Sequence, residues 1–152
     1  MTDKEAMAVA LLEAAAAAEH GDVPVGAVVL VGGQVVARRH NERELCKDPT
    51  AHAETLALKD AALAMGSWHL DQATLVATIE PCLMCAGAAV LARVGRLVFG
   101  AFDPKAGACG SLYNVCADPR LNHEIEVIHG VEADAAGQLL REFFSERRDV
   151  PG

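Results

Sequence analysis

Four side chains in two short segments have the types and spacing of a zinc site with its own proton carrier. His52 and Glu54 lie two residues apart, and Cys82 and Cys85 follow later in the chain, three residues apart. Zinc prefers tetrahedral nitrogen and sulfur ligands, and a catalytic zinc uses three protein ligands and leaves the fourth position to water. The imidazole and the two thiolates supply those three ligands. We therefore predict one catalytic Zn²⁺ per subunit, with Glu54 free to act as acid and base.

The charge of this ligand set also suits catalysis. Zn²⁺ with one neutral imidazole and two thiolates carries no formal net charge, so a hydroxide bound there is not placed in a strongly anionic site. Zinc lowers the pKa of bound water to roughly 7, which makes hydroxide available near neutrality.

A structural zinc site is the alternative, and it needs a fourth ligand. Cys46, Cys109 and Cys116 are the candidates, but none has a partner at ligand spacing. A structural site would also leave Glu54 without a role. The combined pattern H-x-E…P-C-x-x-C is the signature of zinc nucleobase deaminases, so it predicts hydrolytic deamination without specifying the substrate.

Periodicity and turn residues indicate the elements that must position these side chains. Gly32-Gly33 separates two β-prone runs, which predicts a hairpin. Asp48-Pro49-Thr50 is typical of a loop that ends in an N-cap at Thr50, and Pro81 is typical of a first helical position. The ligands would then lie in the opening turns of two helices. Helices are predicted over 4–20, from Thr50 to about 65, from Pro81 to about 93 and over 133–147, and strands over 25–31, 34–39, 73–78, 96–100 and 125–128.

The order of these elements predicts the fold class. Strands that alternate with helices after an opening hairpin indicate an α/β protein with a mixed sheet covered by helices. The 152 residues show no internal repeat or linker, so we expect a single domain over 1–152. No apolar run reaches the roughly 20 residues of a membrane span. Five cysteines do not form a disulfide framework, and the first residues lack a signal-peptide pattern, so we expect a cytoplasmic protein with no membrane partner.

The net charge of −8 argues against a surface that coats nucleic acid generally. Two local basic groups exist, at 38–40 and among the arginines 141, 147 and 148. From charge alone, both are expected to be ordinary solvated faces.

Several further segments resemble one particular family more specifically than the zinc motif alone does. They lie around the zinc motif and towards the C-terminus: 23–27, Asn41, 48–54, 80–88, 103–111, 122–123, 143–144 and 147–148. Over these segments, which span nearly the whole chain, the protein resembles the bacterial tRNA-specific adenosine deaminases.

The resemblance implies a specific activity and architecture. It implies that the wobble adenosine of a tRNA anticodon, chiefly in an arginine tRNA, is converted to inosine. It implies a three-layer α/β/α cytidine-deaminase-like fold with a central mixed sheet, and a homodimer that binds the anticodon stem-loop. It assigns substrate contacts to Ala27, Asn41 and Asp103, and RNA contacts to Lys105, Asn122, His123, Arg147 and Arg148.

Two other functions remain open from the residues. The same zinc chemistry would serve a deaminase of free guanine, cytosine or a nucleoside. From a different class, a zinc-stabilised RNA-binding module without activity would keep the ligands, although the intact Glu54 argues against it.

Overall fold

The computed structural model describes residues 1–148, with Arg148 described in its backbone alone. These residues form four helices and five strands, and a short 3-10 helix that was not predicted from the sequence spans Val115–Ala117 between the last two strands. The helices are α1 (Asp3–Glu19), α2 (Ala53–Met65), α3 (Leu83–Leu91) and α4 (Ala133–Arg148), and the strands are β1 (Gly26–Val31), β2 (Gln34–His40), β3 (Ala73–Ile79), β4 (Arg96–Ala101) and β5 (Glu126–Ile128).

The strands form one mixed sheet in the order β2-β1-β3-β4-β5. β1 pairs antiparallel with β2 and with β3, whereas β3–β4 and β4–β5 are parallel. The β1–β2 hairpin turns at Gly32 and Gly33, whose φ values of 59° and 75° give the left-handed backbone that a tight hairpin turn requires. The predicted hairpin and mixed sheet are therefore confirmed.

Alternating side chains on the strands face two separate cores. Val29, Leu75 and Leu97 face α2 and α3 on one side of the sheet. Their sequence neighbours Val28, Val76 and Val98 face the opposite side, where they pack on Ala6, Met7 and Ala10 of α1. α4 contacts α1 and β4 on that second side. Because successive strand residues point to opposite faces, the apolar strands bury both faces and produce the predicted three layers.

The first and last helices differ in detail from what the sequence pattern alone indicates. Thr2 caps α1 in a reciprocal pair with Glu5, so the helix begins one residue before the predicted start. In α4, Phe143 is buried whereas the adjacent Phe144 is exposed. Adjacent helical residues point about 100° apart, so one phenylalanine turns away from the sheet. Within residues 1–148, no helix is long and apolar enough to cross a bilayer.

Candidate metal centre and active site

The sheet topology brings the predicted ligands to one edge. β3 and β4 are parallel, so their carboxyl ends lie together at that edge. β1 runs antiparallel to β3, so its beginning lies there too, next to the end of β2. The segments that leave these strand ends carry Asn41, His52, Glu80, Cys82 and Asp103. Strands distant in sequence therefore bring one set of side chains together at a single edge.

Both ligand helices begin later than predicted. α2 begins at Ala53 with His52 as its N-cap, and α3 begins at Leu83 with Cys82 as its N-cap. The predicted cap at Thr50 is wrong because Asp48 Oδ1 accepts from both the backbone N–H and the hydroxyl of Thr50, and so holds that residue in the preceding turn. A ligand thus stands at the start of each helix, where unpaired N–H groups and the positive dipole end favour thiolates.

The two nitrogen–sulfur distances among the ligating atoms are those expected of a tetrahedral zinc site. Cys82 Sγ lies 3.6 Å and Cys85 Sγ 3.5 Å from His52 Nδ1. With Zn–N near 2.0–2.1 Å and Zn–S near 2.3 Å, two ligands on a tetrahedral zinc lie about 3.6 Å apart. In residues 1–148, His52, Cys82 and Cys85 form the one group of potential ligands within 4.8 Å of one another. The chain therefore offers three preorganised ligands of the types that zinc prefers.

The two thiols differ in how readily they ionise. Hydrogen bonding from Cys85, with a further contribution from His52, lowers the pKa of Cys82 to about 4. Hydrogen bonding to the Cys82 sulfur, followed by burial, raises the pKa of Cys85. Cys82 is therefore the more acidic of the two thiols.

The other cysteines do not join this group. Cys46 is exposed and lies beside Glu42, whereas Cys109 and Cys116 are buried with their sulfurs 3.7 Å apart. Neither arrangement supplies a fourth protein ligand among the described residues. The structure therefore favours a site that leaves one position open over a closed structural site.

Glu54 follows the ligand His52 by two residues and lines the same cavity as His52 and Cys82. Glu54 is 4% exposed, and burial raises its pKa because a carboxylate is less stable away from water. Glu54 lines a partly open cavity of about 210 Å³. The cavity wall also includes Val23, Val25, Asn41, Arg43, His52, Ala53, Ile79, Glu80, Cys82, Asp103 and Ala106.

Two of the three predicted substrate contacts lie on this wall. Asn41 is 7% exposed, and its amide donates to the Val23 carbonyl while its oxygen accepts from the Arg43 N–H. Asp103 Oδ1 accepts from the N–H groups of Lys105 and Ala106, which closes a turn at the rim. Ala27 is fully buried within β1 and is not among the lining residues, so its role stays a prediction.

The predicted RNA-contacting residues are dispersed around the molecule. Lys105 and Asn122 are exposed, and Lys105 follows the Asp103 turn at the cavity. His123 is half-buried and its Nε2 contacts the Val94 carbonyl at 2.7 Å. This bond gives His123 a structural role and leaves its predicted RNA contact untested.

The C-terminal arginines give a mixed outcome. Arg147 donates to the Gly21 carbonyl, and its guanidinium lies 4.6 Å above the Phe143 ring. Arg147 therefore fastens α4 to the turn after α1. The side chain of Arg148 falls outside the described residues, so its predicted RNA contact has no structural description.

The internal basic group at 38–40 consists of paired side chains. Arg38 and His40 both contact Glu13, at 2.8 and 2.9 Å. Arg39 contacts Asp60 and Glu42. These acidic partners leave the group with little excess positive charge, as expected of an ordinary surface.

Glu80 is a site residue that the sequence analysis did not identify. It is 3% exposed and lines the cavity. Burial alone would raise its pKa, but hydrogen bonds from Ser111, Asp103 and Cys109 lower it. In the sequence, only its position directly before Pro81-Cys82 indicated a role at the site. Its hydrogen-bond partners lie 23 to 31 residues away, and only the folded structure brings them to Glu80.

Comparison with known proteins identifies sequence relatives over nearly the whole chain. The profile of the MafB19-like deaminase family matches residues 1–148. A protein of Bacillus subtilis (strain 168) named tRNA-specific adenosine deaminase is 49% identical over 146 residues, which cover 96% of this chain and 91% of that protein. A protein of the same name from Aquifex aeolicus is 42% identical and covers 93% of each chain.

Solved structures give the same arrangement of elements. A structure from work on A-to-I editing at the wobble position of transfer RNA superposes with a TM-score of 0.87 at 40% identity, covering 90% of this chain and 99% of that one. A guanine deaminase from Nitrosomonas europaea superposes with a TM-score of 0.83 at 26% identity, covering 95% of this chain and 85% of that one.

Proposed function

This chain belongs to the tRNA-specific adenosine deaminases and to the MafB19-like deaminase family, and we propose that it converts the wobble adenosine of a tRNA anticodon to inosine by hydrolysis. Water adds at C6 of the adenine, and the exocyclic amine leaves as ammonia. The 49% identity to a tRNA-specific adenosine deaminase, over 96% of the chain, carries this proposal. The resemblance inferred from the sequence and these comparisons point to the same substrate.

We infer that the metal is zinc, held by His52, Cys82 and Cys85. The ligand types and the 3.5–3.6 Å nitrogen–sulfur separations support this choice. When bound, zinc supplies a water whose pKa is lowered to roughly 7.

Glu54 is the proton carrier in this proposal. Its carboxylate accepts a proton as water adds to C6, passes it to the ring nitrogen, and then assists the departure of ammonia. Burial raises the pKa of Glu54, which favours a carboxyl group that holds a proton between these two steps. Because the metal is held by His52, Cys82 and Cys85, both carboxylate oxygens of Glu54 are available for this proton transfer.

The cavity suits a single base that has been turned out of an RNA loop. Anticodon bases are unpaired, and sequence-specific RNA recognition usually targets such bases. Turning out an already single-stranded base costs less than the few kcal/mol typical of a duplex base. Asn41 and Asp103 would contact the nucleoside from the wall, and Lys105 and Arg43 would face the neighbouring phosphates.

The alternative substrate is free guanine. The likeness to a guanine deaminase, at 26% identity and a TM-score of 0.83, supports it as the second candidate. The two functions differ in substrate size, so assaying an anticodon stem-loop beside free guanine distinguishes them.

A panel of substrates tests the proposal. Anticodon stem-loops with a wobble adenosine should release ammonia and yield inosine, whereas free adenosine and free guanine should not react at the same enzyme concentration. Deamination of guanine with no reaction on any stem-loop would overturn the proposal in favour of the alternative.

The partners and cellular location follow as parts of the same proposal. We propose that the enzyme works on tRNA in the cytoplasm, as a homodimer with one zinc per subunit. Exposed apolar side chains on α3, Leu83 and Leu91, support the presence of a protein partner.

A further inference from the structure

A second buried carboxylate lies at the cavity, and within residues 1–148 every hydrogen bond to its oxygens comes from one distant segment. Glu80 follows β3 and stands two residues before Cys82. We name residues 103–111, which follow β4, the cavity loop. Glu80 is 3% exposed and lines the same cavity as Glu54.

The carboxylate of Glu80 joins the two ends of the cavity loop. Its Oε1 accepts from the Asp103 N–H at 3.0 Å and from the Ser111 hydroxyl. Its Oε2 accepts from the Cys109 and Ser111 N–H groups, each at 3.0 Å. Three of the four donors are backbone groups, so the carboxylate fixes the path of the loop backbone itself.

The middle of the loop closes tightly over this carboxylate. A Cβ atom added to Gly107 would lie 2.2–2.4 Å from the carboxyl atoms of Glu80, so a larger residue there would displace the carboxylate. Gly107 also forms a β-bridge with Cys82, and the Ala108 N–H donates to the Pro81 carbonyl at 2.9 Å. Loop and ligand segment are therefore packed against each other around Glu80.

This packing links two parts of the site. The cavity loop contributes Asp103 and Ala106 to the cavity wall, and Glu80 is only two residues from the ligand Cys82. A shift of the carboxylate would move the wall relative to the reacting centre.

We propose that Glu80 is a positioning residue, which holds the cavity loop in the conformation in which its wall binds the adenosine. This inference rests on the proposed function. Glu80 exchanges no proton with the substrate, and it acts through the loop.

Glu80→Gln tests the inference with minimal change in shape. A glutamine offers one acceptor oxygen and one donor nitrogen, so at one end of the side chain a donor faces a backbone N–H. We expect kcat/KM for a wobble-adenosine stem-loop to fall roughly 10- to 100-fold. The loss should appear mainly in KM, because the wall binds substrate and transition state alike. Zinc content and the shape of the pH profile of kcat should stay as in the wild type.

Three further variants isolate the cause. Ser111→Ala removes the hydroxyl donor alone and should raise KM by a smaller factor. Gly107→Ala displaces the carboxylate without removing it and should raise KM as E80Q does. Glu124→Gln makes the same chemical change at an exposed site and should leave KM unchanged.

The outcomes separate this inference from the proposed function. A wild-type enzyme that edits no stem-loop counts against the function. An active wild type with unchanged KM in E80Q overturns the role of Glu80, and so does loss of zinc or an altered pH profile in E80Q. If E80Q does not fold, Ser111→Ala decides: a raised KM with an unchanged pH profile supports the role, and a wild-type KM overturns it.

Discussion

At the residue scale, the metal ligands and the proton carrier could be predicted from side-chain types and spacing, but the residues that support them could not. His52, Glu54, Cys82 and Cys85 could be identified because their spacing within each pair is short and their types suit one metal. Glu80 could not, because its role depends on backbone N–H groups 23 to 31 residues away. The backbone donors follow β4 and Glu80 follows β3, so the parallel pairing of these two strands brings them together.

The role of Glu54 predicts a large and specific loss of activity. Glu54→Gln keeps the size of the side chain but cannot accept and return a proton. We expect deamination to fall by about 10²- to 10⁴-fold, the usual contribution of general acid–base catalysis. Ammonia release under saturating stem-loop measures the rate, and metal analysis should find the same zinc content as in the wild type.

The exposed Glu124 provides the matched control for that substitution. Glu124→Gln should retain full activity. A Glu54→Gln enzyme that releases ammonia at the wild-type rate would remove Glu54 from the mechanism.

The cysteines should separate into two classes by zinc content. Cys82→Ala or Cys85→Ala removes one of three ligands, so each purified variant should lose its zinc. Cys109→Ala and Cys46→Ala should retain one zinc per chain, because neither sulfur belongs to the ligand group. Zinc lost from Cys109→Ala, in a variant that is still folded, would restore the structural-site alternative.

At the element scale, the sequence predicted the helices and strands, but not the residues at which the ligand helices begin. α2 and α3 each begin with a ligand at the N-cap, two residues after the start expected from Thr50 and from Pro81. At Thr50, Asp48 takes the hydrogen bonds that a helix cap would use. Thr50 can form either a turn with Asp48 or a helix cap, and both use residues close in sequence. Residue types alone therefore do not determine which of the two forms.

One buried carboxylate fixes the loop that precedes α2. Asp22 is fully buried and accepts from the N–H groups of Glu44 and Leu45 and from His20. Burial alone would raise the pKa of Asp22, but these hydrogen bonds lower it below its usual value. The adjacent Arg43 lies on the cavity wall. Asp22 thus stabilises the segment that carries Arg43.

Asp22→Asn should reveal this contribution through its pH dependence. At pH 7 the free energy of unfolding should fall by about 1–3 kcal/mol, because a buried donor loses its acceptor. The unfolded chain binds this proton near pH 3.9, and the folded chain binds it only at lower pH. The contribution of Asp22 is therefore complete above that pKa and lost as pH falls through the folded pKa.

Urea unfolding of both proteins between pH 7 and pH 2 measures this difference, which should shrink in acid. The exposed Asp71 gives the control, since Asp71→Asn should change stability by less than about 0.5 kcal/mol. A difference for Asp22→Asn that is constant at every pH would contradict the lowered pKa.

At the scale of the whole molecule, the predicted architecture is confirmed while the RNA-binding surface stays a proposal. The order of strands and helices predicted the mixed sheet covered by helices, and the family resemblance implied its two helical layers, which the structure has. The net charge of −8 means that RNA affinity must come from a few local cations. Of the predicted contacts, Lys105 lies near the cavity, whereas His123 and Arg147 make internal bonds that no sequence pattern indicated.

The homodimer gives a prediction at this scale. Leu91 is 72% exposed and Leu83 is 52% exposed on the same helix, and burying such side chains favours association. Light scattering on the purified protein should give a mass near twice the 15.9 kDa of one chain. A mass of one chain at micromolar concentration would contradict the homodimer.

The central claim is hydrolysis of one adenosine at one RNA position, and oxygen labelling tests it most directly. A stem-loop that carries adenosines both at the wobble position and elsewhere in the loop would be incubated with the zinc-loaded enzyme in ¹⁸O-water. Mass spectrometry of the product should locate one ¹⁸O-labelled inosine, at the wobble position alone. Inosine spread over several loop adenosines, or an untouched stem-loop beside deaminated free guanine, would contradict the account.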